Sequence, residues 1–88
     1  MIIRSQHKKN IVNLDNIDSI YANEYGEINA YNGNGNSRIL MGQYSTEEKA
    51  IKVLDMIQSA YNAIETMKID KGAWRDNHYF EMPQDSEV

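Results

Sequence analysis

The chain has 88 residues, 41% hydrophobic and 25% charged, with no cysteine, a formal net charge of −4 at pH 7 and a pI near 5.0. That size and balance specify one folded domain, residues 1–88, with a core only just sufficient, and exclude a disulfide framework or a thiolate metal site. The acidic total disfavours a duplex-DNA binder, which draws affinity from Lys and Arg on phosphates, although Arg4, Lys8 and Lys9 all precede the first acidic residue, Asp15.

Residues 1–6 read as a short strand, with β-branched Ile2 and Ile3 followed by small polar positions. This stretch is too short and polar for a signal peptide. No apolar run approaches membrane length, so a cytoplasmic protein is expected. His7, Lys8, Lys9 and Asn10 form a turn, residues 11–14 resume as a strand, and Asp15-Asn16 marks a bend. A strand over 17–24 sets Ile17, Ser19 and Tyr21 on one face and Asp18, Ile20 and Ala22 on the other. Tyr25-Gly26 turns the chain into a strand over 27–31, with Ile28 and Ala30 together on one face. Two overlapping Asn-Gly pairs, residues 32–36, then give the strongest hairpin signal, and 37–44 is the return strand.

Residues 45–67 carry Ala50, Leu54, Ile57, Tyr61 and Ile64 at steps of four and three, which is one wide apolar face of a helix. Ser45 with Glu48 three residues on has the form of a capping box. Residues 68–72 suit a helix exit, and 73–76 a connector with Trp74. Residues 78–82 form a last strand stopped by Pro83, and 84–88 a frayed polar tail. The fold class is α+β: an antiparallel meander of four to five short strands packed by one long helix, with a short C-terminal strand.

Chemistry is sparse. His7 and His78 are the only imidazoles and lie at opposite ends of the chain, so no metal site is expected. No nucleophile motif occurs, and Glu47-Glu48 suits the positive end of a helix dipole better than a catalytic pair. No enzyme is expected, and no cofactor is implied. The Asn-Gly loop lacks the Lys-Ser/Thr of a phosphate-binding loop and leads into a strand. The apolar helix face runs about 33 Å against strands of roughly 17–20 Å. Its far end, at Tyr61, Ile64 and Met67, needs a cover, either the C-terminal segment or a second subunit. A subunit interface would take Tyr61, Ile64, Met67, Phe80 and Met82, whereas strand alternation turns Phe80 and Met82 into the core and Tyr79 and Glu81 outward.

Residues 1–6, Leu14-Asp15-Asn16-Ile17, Gly42 through Ala50 with Val53, Leu54 and Ile57, and Phe80-Glu81-Met82-Pro83 resemble a group of small phage and prophage proteins of Gram-positive bacteria. The resemblance spans nearly the whole chain and brings no catalytic residues with it. It implies a binding role in the host cytosol, such as inhibition of host defence. One form is a homo-oligomeric sponge that sequesters a nucleotide-derived signal. Arg4, Lys8, Arg38, Arg75 and Tyr79 would be its ligand-binding residues, with Trp74 to stack on a base. The other form is a protein–protein inhibitor docking an acidic surface, Glu24, Glu27, Asp55, Glu65 and Asp70, on a basic host protein. An accessory interaction module is the third reading.

Overall fold

Two short β-branched runs set the first sheet. β1 (Ile2–Arg4) pairs antiparallel with β2 (Ile11–Asn13), and the facing residues Ile3 and Val12 are buried while their neighbours are exposed. In this computed structural model the described residues are 1–33, 37–71 and 79–88, the side chains of 64–71 excepted. The turn between the strands is locked from within. Buried Ser5 accepts from the Asn10 N–H at 3.1 Å, and Lys8 adopts a left-handed φ of 70°. At the predicted bend, Asn13 Oδ1 accepts from the Asp15 N–H at 3.1 Å and opens a 3₁₀ turn, Leu14–Asn16.

The meander occupies the middle of the chain. β3 (Ser19–Ala22), β4 (Glu27–Asn32) and β5 (Ser37–Gln43) pair antiparallel in that order. Residues 34–36 of the Asn-Gly turn lie outside the described residues, but Asn32 faces Ser37, so β4 and β5 close as the hairpin predicted. Ile28 faces Gly42 while Asn29 faces Leu40. Met41 is therefore the extra residue of a bulge, and it is fully buried.

The helix α1 (Glu47–Lys71) lies on β3 and β4, with Ala50, Val53 and Ile57 buried beneath it. Its start departs from the sequence reading. Thr46, not Ser45, is the cap: Thr46 Oγ1 accepts from the Lys49 N–H at 3.1 Å. The Ser45 N–H instead donates to Asp85 Oδ1 at 2.7 Å, so a remote carboxylate takes the group that the capping box would have used. Thr46→Ala is expected to cost about 1 kcal/mol, and Ser45→Ala less than half of that. Urea unfolding of the two variants checks the order.

β6 (Tyr79–Glu81) pairs parallel with β1, so that Ile2 faces Tyr79, Ile3 faces Phe80 and Arg4 faces Glu81. The strands thus make two sheets, β2-β1-β6 and β3-β4-β5, and the meander is confined to the second. Phe80 and Met82 point inward, as the alternation predicts, and Met82 is only 1% exposed.

Residues 84–88, expected to fray, are instead tied down, by Asp85 to Ser45 and Lys49 and by Gln84 to Gln6. The Gln6 N–H donates to the Met41 carbonyl at 2.8 Å, its Oε1 accepts from the Gln43 N–H at 2.9 Å, and its carbonyl accepts from Gln84 Nε2 at 3.0 Å. One side chain with its own backbone thereby clasps β5 and the C-terminal segment. Asp85–Glu87 closes as a 3₁₀ turn, and Val88 packs against the core. Among the described residues no helix is long and apolar enough to cross a membrane.

Candidate binding site

Burial of Ile3, Val12 and Phe80 turns the alternate residues of the first sheet outward. The pairings set them in two rows: Asn13, Ile2 and Tyr79 in one, Ile11, Arg4 and Glu81 in the other. Tyr79 and Ile11 are each 64% exposed and Ile2 is 44% exposed, so three large apolar side chains share this small outer face. Two charges of opposite sign sit among them.

Lys8 borders this face from the turn after β1. The Arg4 guanidinium donates to the Lys8 carbonyl through Nη2 at 3.2 Å and Nε at 3.4 Å. The Lys8 ammonium in turn forms an ion pair with Glu81 Oε1. The hydrogen bond and charge of Lys8, with a smaller contribution from Arg4, hold the Glu81 carboxyl below its usual range. The chain's two ends meet here through charge as well as through strand pairing.

Of the residues that the sequence nominates for a ligand, Arg4, Lys8 and Tyr79 are thus gathered on one sheet and its adjoining turn. Arg38 is not with them. It lies on β5, across from Tyr31, and a hydrogen bond to the Tyr21 phenol raises its pKa. Trp74 and Arg75 lie outside the described residues, as do the side chains of Ile64 and Met67. Comparison with protein-family models, curated proteins and solved structures finds no match. The site's chemistry therefore rests on its own geometry.

Two depressions flank the helix. A groove of about 480 Å³ is bordered by Lys8, Glu81, Met82, Gln84 and Glu87, with Met56 of the helix opposite. It presents two carboxylates against one ammonium, which suits no anion. The second, of about 290 Å³, is an apolar cleft between Leu14 and Ile20 on one side and Leu54, Ile57 and Tyr61 on the other. Of the helix end that the sequence leaves uncovered, it takes in Tyr61. Met82 is a different matter. The interface reading gives it to a second subunit, yet it lies inside this chain's own core, next to Gly42. Phe80 is half-buried against the same core.

One pairing that the sequence did not flag has the look of a catalytic dyad. Ser5 Oγ lies 3.0 Å from His7 Nδ1. The same nitrogen accepts from the Lys9 N–H at 3.1 Å, so it carries no proton and the Ser5 hydroxyl must be the donor. Ser5 is wholly buried, however, and its oxygen already accepts from Asn10. A nucleophile must reach its substrate, and this one cannot; the pair locks the turn that presents Lys8. Among the described residues no group of three or more His, Asp or Glu side chains is placed to hold a metal ion.

Proposed function

We propose that this is a non-enzymatic binding protein that acts as a homo-oligomer and sequesters a phosphate-bearing, nucleotide-type ligand between its copies. On the phage resemblance, the ligand is a nucleotide-derived immune signal and the role is anti-defence. The observation that carries this reading is the parallel pairing of β6 with β1, which puts Arg4 and Tyr79 on one exposed face with Lys8 at its rim. A guanidinium and an ammonium suit phosphate oxygens, and an exposed phenol ring offers a surface on which a base can stack.

A sheet face two rows deep is flat and cannot enclose a ligand by itself. Arg38 belongs to the other sheet and is not part of this face. A second copy laid over the face supplies the missing wall, and the exposed Ile2 and Ile11 give it apolar area to cover.

The test is native mass spectrometry with cyclic di- and oligonucleotides and cyclic ADP-ribose isomers. A defined oligomer that gains whole-ligand mass increments is the expected result. Arg4→Ala is expected to lose about tenfold or more in affinity, the worth of a charge-assisted hydrogen bond, with little change in melting temperature. A monomer that takes up no ligand refutes the reading and points instead to capture of a basic host protein.

A further inference from the structure

The proposed ligand face already holds an anion, and it is part of the chain. Glu81 faces Arg4 across the β1–β6 pairing and is ion-paired with Lys8. We propose that Glu81 is a built-in competitor for this anion site, so that a ligand binds only by displacing its carboxylate from Lys8. The inference rests on the function proposed above and specifies which anions the site accepts.

Three observations support it. The carboxylate shows that an oxyanion fits beside these two cations. Its bond is weak enough to be exchanged, because the Lys8 and Glu81 side chains are 46% and 45% exposed, and exposed ion pairs of this kind contribute little. The displaced carboxylate also has somewhere to go: its side chain is 45% exposed and can turn out into solvent, away from the Glu87 carboxylate in the adjoining groove.

Charge then sets the selectivity. Arg4 and Lys8 together carry two positive charges, and Glu81 offsets one of them. A monocarboxylate ligand would only replace like with like and gain nothing. A phosphomonoester or pyrophosphate brings more charge and more acceptor oxygens, and it can engage both cations at once. Glu81 therefore acts as a threshold that screens out monoanions.

Calorimetric titration of the full chain with inorganic pyrophosphate, and separately with acetate, tests the idea on Glu81→Gln and on Glu81→Gln/Lys8→Ala. Glu24→Gln, an equal charge change in the exposed turn after β3, serves as control. Glu81→Gln is expected to bind pyrophosphate about threefold to tenfold tighter than the parent chain. The double variant should lose that gain, and the control should show none. Acetate should bind Glu81→Gln measurably and the parent not at all.

Equal pyrophosphate affinity in Glu81→Gln and the parent overturns the competitor role. If Arg4→Ala still weakens binding about tenfold or more, the function proposed above survives that result. An equal gain in Glu24→Gln also overturns it, because net charge alone would then be the cause. No binding by any variant at millimolar pyrophosphate overturns both.

Discussion

Gly26→Ala is expected to lower stability by about 3 kcal/mol or more, a large share of the roughly 4–13 kcal/mol available to a domain of this length. Two effects combine at this residue. Gly26 has φ +78°, which costs an L side chain strain, and a Cβ there would stand 2.3 Å from the Tyr44 carbonyl oxygen. That oxygen belongs to backbone and cannot swing aside. The Gly26 carbonyl also accepts from the Tyr44 N–H at 2.8 Å, so the turn after β3 is bonded to the crossover between β5 and α1. Moving one moves the other. Gly26→Asn separates the two effects, because Asn tolerates the left-handed region but keeps the clash. It is expected to recover no more than about 1 kcal/mol. Recovery of most of the loss, measured by urea unfolding, would mean that backbone strain and not close approach dominates.

The features that were legible in the sequence are those set by neighbours. Helical spacing from Ala50 to Tyr61 depends on turns of one helix, and the helix is there. The Asn-Gly pairs act within a few residues, and β4 and β5 do meet as a hairpin. The inward set of Ile28 and Ala30, and of Phe80 and Met82, follows strand alternation, although Asn29 between the first two is buried as well. What was not legible depends on partners far along the chain. Ser45 matches a capping box better than Thr46 does, until Asp85 arrives to take the Ser45 N–H. Residues 84–88 look solvated by composition, yet their polar groups serve as bonds to Gln6, Ser45 and Lys49.

The site divides in the same way. Arg4, Lys8 and Tyr79 could be nominated from residue type, as cations and an aromatic that suit a phosphate and a base. That they share a face could not, because it follows from β6 lying parallel to β1 in one particular register. From the sequence Glu81 is only an outward-facing strand residue. Its ion pair with Lys8 spans almost the whole chain, and no local spacing announces it. Arg38 stands apart for the converse reason: its type suits the ligand, but its strand belongs to the other sheet.

Met82→Ala is the second large effect, an expected loss of about 2–4 kcal/mol. The side chain is 1% exposed and reaches the space above Gly42, where its methyl would lie 3.1 Å from an added Cβ. Truncation there leaves a hole between the two sheets that neither can easily fill. The adjoining Pro83 carbonyl accepts from the Tyr44 hydroxyl at 2.8 Å, and burial pushes that phenol's pKa up to about 12, so it remains a donor at neutral pH. The Met82 N–H itself donates to the Arg4 carbonyl at 3.0 Å. Met82 thus anchors the strand that carries Tyr79 and Glu81 to the strand that carries Arg4. Met82→Leu conserves volume and is expected to cost less than about 1.5 kcal/mol. If the proposed site is as described, the Ala variant also weakens ligand binding while the Leu variant keeps it. A loss below about 1 kcal/mol for Met82→Ala would show that β6 is not held by its core contact. The geometry of the anion site would then have to come from the β1–β6 backbone pairing together with the Lys8–Glu81 pair.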